Sequence, residues 1–124
     1  MNKIVMKNVF KSLGLPITEY LVFDKNNYNS NKAKSLGFPV IVKPANLGSS
    51  IGISKIEKEE DLQDAVELAF HYDQNIIIEV CVQNLTELNC AVSEKNGEVI
   101  TSLVEQPIGA SEFLSFEEKY VSTE

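Results

Sequence analysis

The chain is short of cysteine, of histidine and of positive charge, and each shortage removes a class of function. Its two cysteines, Cys81 and Cys90, stand without a second pair or a neighbouring histidine, so neither a disulfide framework nor a metal site is expected. Both read instead as small hydrophobes in strands. The single histidine, His71, closes an apolar helical repeat, where a lone imidazole is more often a helix-end cation than a catalyst. Lysine and arginine total 11 against 18 aspartates and glutamates, a net charge of -7. A nucleic acid or an anionic membrane would need a local basic patch, none is visible, and neither is an expected partner. No apolar run approaches the roughly 18 residues of a membrane span. Met1 to Lys7 has neither the continuous apolar stretch nor the small-residue cleavage site of a signal peptide. A cytoplasmic protein with reduced cysteines is the expectation.

What is present is one domain's worth of chain, 124 residues of which 44% are hydrophobic, enough for a single core. Its most informative stretch is Gly37 to Ile53, GFPVIVKPANLGSSIGI. The apolar run Val40-Ile41-Val42 predicts a buried strand that delivers Lys43, and Pro44, with no N–H for the ladder, ends it. Gly48, Ser49, Ser50 and Gly52 follow, small residues whose backbone approaches a ligand closely and whose amides and hydroxyls suit oxygens. Lysine precedes the glycines here, unlike a P-loop, and no helix-opening G-x-G-x-x-G is present. Ile51 to Ile56 alternates as a second strand, so the whole reads as a hairpin flap over phosphates. The same residues also suit a snorkelling lysine at an ordinary sheet edge followed by a turn, and on this stretch alone both readings stand.

The remaining elements follow from periodicity. Residues 2–13 predict an amphipathic helix with Ile4, Val5, Phe10 and Leu13 on one side, ended by Gly14. Lys3, Lys7 and Lys11 recur every four residues on another side, and Lys7 and Lys11 read as a solvated face. A strand is expected over 17–23, then an asparagine-rich loop and a short helix ending at Gly37. Glu57 to Asp73 predicts a helix that buries Leu62, Ala65, Val66, Ala69 and Phe70, with acidic residues at its N-terminus. Ile76 to Val80 predicts a second buried strand carrying Glu79, whose carboxylate must either reach solvent or meet a specific partner. Thr86 to Val92 alternates as a strand, Asn96-Gly97 marks a hairpin turn, and Glu98 to Val104 is its return. Ser111 to Tyr120 suits a short amphipathic surface helix.

V-I-V-K-P followed by G-S-S-I-G-I-S-K resembles the small ATP-binding lobe of the ATP-grasp ligases, and within them the D-alanine-D-alanine ligase family. Three further segments, in the same order, carry the resemblance: Met1-Asn2-Lys3 ahead of Gly14-Leu15-Pro16, the strand ending at Glu79, and Phe116-Glu117-Glu118-Lys119-Tyr120. The resemblance implies an α+β fold, with an antiparallel sheet and two main helices in a small lobe over 1–84, and the first strands of the large lobe with a mobile active-site loop over 85–124. It implies ATP contacts from Lys3, from Lys43 to the α- and β-phosphates, and from the Ser49-Ser50 loop over the β- and γ-phosphates. Glu87 would take the ribose hydroxyls, Lys119 the γ-phosphate, and Ser49 and Tyr120 belong to the catalytic machinery. The family strand commonly reads I-E-K; Val80 departs from its lysine, which leaves the backbone of Glu79, Val80 and Val82 to bond the adenine edge.

The implied activity is ATP-dependent joining of two D-alanines through an acyl phosphate, for peptidoglycan synthesis. The implied cofactors are ATP and Mg2+, with no metal ligand in this chain, because the family's arginine and its magnesium-binding Asp, Glu and Asn fall downstream of Tyr120. The chain is thus expected to be an internal fragment, silent by itself, with exposed sheet edges that favour a homodimer. The alternatives are a ligase that takes D-serine or D-lactate second, and a non-catalytic nucleotide-binding module.

Overall fold

The computed structural model describes residues 2–48 and 50–108. Four strands, β1 (Tyr20–Asp24), β2 (Val40–Pro44), β3 (Ser54–Ile56) and β4 (Asn75–Val80), form an antiparallel sheet in the order β1-β4-β2-β3. Among the described residues three α-helices accompany it, α1 (Lys3–Ser12), α2 (Ser30–Lys34) and α3 (Leu62–Tyr72). This is the α+β architecture expected from the sequence, with α1 and α3 as the longer helices.

The sheet separates two environments. Side chains alternate along a strand, so Val40, Val42, Ile76 and Ile78 share one face, and there they join Leu62, Val66 and Ala69 of α3 and Ala33 of α2 in the core. Ile41, Lys43, Ile77 and Glu79 point to the other face. β4 lies between β1 and β2, and its run Ile76-Ile77-Ile78 is fully buried, as an apolar run without alternation requires when both faces of a strand are covered. α3 forms where its periodicity predicts, after a 3-10 turn at Glu59–Asp61 whose carboxylates favour a helix N-terminus.

α1 reverses its expected orientation. Asn2 caps it, its Oδ1 accepting from the N–H groups of Ile4 and Val5 at 2.9 and 3.3 Å, and Gly14 ends it at φ 75°, both as helix ends require. Yet Val5, Val9, Phe10 and Leu13 are exposed, and the buried residue of the helix is Lys7. Lys7 is therefore not part of a solvated face. Its ammonium has a partner across the sheet, and that pairing, described below, orients the helix against its apolar pattern.

Two turns need their glycines. In the β2–β3 connection Gly52 has φ 71°, and a Cβ there would lie 2.9 Å from both Pro44 Cγ and Tyr72 Cδ2. At the tip of the hairpin β5 (Val92–Lys95) and β6 (Glu98–Thr101), Asn96 and Gly97 take φ 52° and 77°, the left-handed pair of a two-residue hairpin turn. The expected strand over 86–92 does not form: the segment holds an isolated bridge, Asn89 to Glu105, and strand structure begins at Val92. Its apolar positions Leu88 and Val92 are exposed, and alternation without a face to bury or a long partner gives no ladder. Cys81 is buried just beyond β4, while Cys90 is exposed and outside any strand, so the reading of both as strand hydrophobes holds for neither in full.

Candidate functional site

The sheet face opposite the core carries a cluster of charge. Antiparallel register sets Ile41 against Glu79 and Lys43 against Ile77, which puts Lys43 and Glu79 on the same face one diagonal apart. Lys43 Nζ lies 2.5 Å from Glu79 Oε1. The second oxygen, Oε2, is 2.5 Å from Lys7 Nζ and accepts from Thr18 Oγ1 at 3.2 Å. The Lys7 ammonium also sits 5.0 Å from the centre of the Tyr20 ring and 3.4 Å from Thr18 Oγ1. Glu79 thus meets specific partners, the alternative to solvent that its position in an isoleucine run demanded.

The arithmetic of this cluster decides its chemistry. Two ammonium groups share one carboxylate, leaving one positive charge in excess on a chain whose net charge is -7. Lys3 stands on the same helix strip, four residues before Lys7. Its Nζ donates to the carbonyls of Leu47 and Pro44, and its N–H donates to Ala45 O at 2.8 Å. The start of α1 therefore ties down the stem of the loop that leaves β2. Asn46 fastens the same stem from the other side through Asp73, with its N–H 2.8 Å from Oδ2. A localised positive face beside a glycine- and serine-rich loop suits a polyanion.

Burial pushes the Glu79 carboxyl up, but the Lys43 ammonium first and Lys7 second outweigh it and hold the group below the ordinary glutamate value. A carboxyl depressed in the folded state contributes stability that is complete above its unfolded value, about 4.3, and is lost as pH falls through the folded one. Burial also raises Asp73, and hydrogen bonds from Asn75, Asn46 and Gln74 overcome it, leaving that group lowered as well. The denaturation midpoint should hold steady from pH 7 to about 5 and decline below about 4.3, with a shallower decline in Glu79→Gln. A midpoint that does not change down to pH 3 would contradict the ion-pair account.

The other expected site residues are distributed as follows. Ser50 is in the turn after β2, half-buried at φ 64°. Val80 ends β4 opposite Val40, so its side chain is on the core side, away from Lys43 and Glu79. The Val80 N–H donates to Glu19 O at 2.9 Å and the Cys81 N–H to Pro39 O at 3.0 Å, and Val82 follows exposed. Glu87 is half-buried in the stretch between β4 and the Asn89 bridge. Ser49, Lys119 and Tyr120 lie outside the described residues. The sequence reading missed Lys7, Thr18 and Tyr20; the spacing of four between Lys3 and Lys7 was the available signal, since it puts both on one helix strip. A hollow of about 570 Å³ lined by Asp24, Lys25, His71, Tyr72 and Asp73 opens at the far end of the β1–β4 ladder, and its two carboxylates against one lysine give it no positive excess.

The chain matches the family model for the D-ala D-ala ligase C-terminus over residues 9–124. It is 40% identical over 121 residues to the D-alanine–D-alanine ligase of Campylobacter jejuni, covering 98% of this chain and 34% of that protein. To that of Thermosipho africanus it is 38% identical over 126 residues, with the same coverage of 98% and 34%. Among solved structures, D-alanyl-alanine synthetase A of Vibrio cholerae superposes with a TM-score of 0.81 at 34% identity, covering 96% of this chain and 38% of that one. The VanG D-Ala:D-Ser ligase of Enterococcus faecalis superposes at 0.76 with 28% identity, over 86% of this chain and 31% of that one. The chain spans about a third of the length of these relatives, 34% of the curated ones. The sheet, the lysine at the end of β2 and the agreement along almost its whole length lead to one conclusion: this chain belongs to the D-alanine–D-alanine ligase family of ATP-grasp enzymes.

Proposed function

We propose that this chain is the nucleotide-binding part of an ATP-dependent D-alanine–D-alanine ligase, with a small lobe over 1–84 and the opening of the large lobe over 85–124. The observation that carries the reading is the excess positive charge of Lys43 and Lys7 around Glu79, at the mouth of a glycine- and serine-rich loop. These residues fit the polyphosphate of ATP. They do not fit a magnesium site: among the described residues no group of three or more histidine, cysteine or acidic side chains could hold a metal ion. Family membership implies MgATP all the same, and in the whole enzyme its ligands would come from elsewhere.

On this reading Lys43 and Lys3 face the phosphates and Ser49 and Ser50 close over them. The Val80 and Cys81 N–H groups already have backbone partners and Glu79 is paired with Tyr20 and Ile41 in the ladder, so of the expected hinge residues Val82 is the one left to meet adenine. Glu87 takes the ribose, Lys119 the γ-phosphate, and Tyr120 shields the reacting acyl phosphate from water. The whole enzyme, a cytoplasmic homodimer, would activate one D-alanine carboxylate and join it to the amine of a second. Similarity to a D-Ala:D-Ser ligase keeps D-serine as the alternative second substrate. No helix among the described residues is long and apolar enough to cross a membrane.

Calorimetric titration with ATP tests the reading. One lobe offers part of the nucleotide's surroundings, so a dissociation constant of about 1 mM, worth about 4 kcal/mol, is expected. Lys43→Ala should weaken it about tenfold or more, the weight of a contact to a charged group. Undetectable binding at about 5 mM ATP, or equal binding by Lys43→Ala, would overturn it.

A further inference from the structure

We propose that Lys7 is a positioning residue for nucleotide binding: it is the fixed counter-ion that keeps Glu79 neutralised when a polyphosphate draws Lys43 away. The inference rests on the nucleotide-binding reading above and goes beyond it, because it assigns a role to a lysine that the reading does not set against the phosphates.

The two lysines hold the same carboxylate in different ways. Lys7 reaches Oε2 from α1 with its side chain 9% exposed, and is also held by Thr18 and the Tyr20 ring. Lys43 reaches Oε1 from the end of β2 with its side chain 17% exposed, next to the loop that leaves that strand. Of the pair, Lys43 is the one placed to exchange partners. A phosphate that takes its ammonium strips one cation from a carboxylate that is itself 9% exposed. With Lys7 and the Thr18 hydroxyl on Oε2, the carboxylate stays paired and the exchange is tolerable. Without Lys7, the same exchange leaves a buried, uncompensated anion facing the incoming phosphates, which opposes binding twice, through desolvation and through like charge.

This arrangement makes a prediction that distinguishes a counter-ion from a ligand or a structural post: the need for Lys7 disappears when Glu79 loses its charge. ATP titration of the chain, with the denaturation midpoint recorded for every variant, compares wild type, Lys7→Met, Lys7→Arg and the double variant Lys7→Met with Glu79→Gln. Lys7→Met is expected to lose affinity about tenfold or more. Lys7→Arg, which keeps the charge, should stay within about threefold of wild type, as should the double variant, in which no anion is left to compensate. Independently of nucleotide, carbon-13 NMR should find the Glu79 carboxyl titrating higher in Lys7→Met than in wild type, because one of two adjacent cations is gone. Three results overturn the proposal alone: wild type and Lys7→Met bind ATP equally, the double variant stays as weak as Lys7→Met, or the Glu79 titration does not move. Failure of wild type to bind ATP overturns the underlying reading instead. Because Lys7→Arg retains the buried cation, it reports on the proposal even where Lys7→Met does not fold: a loss of affinity with an unchanged midpoint counts against the counter-ion role.

Discussion

Alanine in place of Glu79 is expected to destabilise the fold by about 3–5 kcal/mol, the range for removing one member of a buried ion pair. The substitution deletes the carboxylate that two ammonium groups share at 2.5 Å. It leaves Lys7, with its side chain 9% exposed, charged and facing Lys43 on one face of the sheet. Water has little access to compensate, and the residual contacts of Lys7, a hydroxyl and an aromatic ring, do not replace an anion. The effect should propagate to α1, because Lys7 is the buried residue of that helix. Glu59→Ala is the proper comparison. Its partner Lys34 is 2.8 Å away, but the two side chains are 34% and 62% exposed, so its loss should cost no more than about 1 kcal/mol. Urea denaturation of both variants measures the difference. Equal midpoint shifts would mean that the Glu79 cluster is an ordinary surface pair.

Ile78→Ala should cost about 2–5 kcal/mol through lost burial and the cavity left behind. Ile78 is fully buried in the central strand, opposite Leu21 on one side and Val42 on the other. Three strands and α3 meet around it, so the surroundings have little freedom to collapse into the gap. Val99→Ala, at a position 74% exposed in the β5–β6 hairpin, should stay within about 0.5 kcal/mol. A denaturation midpoint for Ile78→Ala close to that of Val99→Ala would mean that the sheet and α3 do not form the core described.

Much of this was legible in the sequence where one local signal pointed one way. Val40-Ile41-Val42 before Lys43-Pro44 specifies a buried strand and its end; Asn96-Gly97 specifies a left-handed turn; Leu62, Val66 and Ala69 repeat on one face of α3. The readings that failed needed information from far along the chain. Lys7 looks solvated because a lysine every four residues on a helix usually is, and its partner Glu79 belongs to the last strand of the sheet. Periodicity assigns the apolar side of α1 to the interior, yet an ion pair holds the opposite strip inward. Thr86 to Val92 alternates like a strand, but a strand exists only through a neighbour, and the neighbour found here is one residue, Glu105. The candidate site divides in the same way. Lys3 and Lys43 come from motifs and Glu79 from its demand for a partner, whereas the pairing of Glu79 with Lys43 and the second cation, Lys7, emerge only from the register of β2 and β4 and the placement of α1.

The central claim is that the lysine face of the sheet binds adenine nucleotide, and a residue-resolved NMR titration of the chain with ATP tests it most directly. The account predicts progressive shifts in the amides of Lys3, Lys43, Ser50 and Val82, with those of α3 and the β5–β6 hairpin unchanged, and loss of the shifts in Lys43→Ala. Shifts confined to the hollow between Asp24 and Asp73, or no shifts at all at about 5 mM ATP, would contradict it.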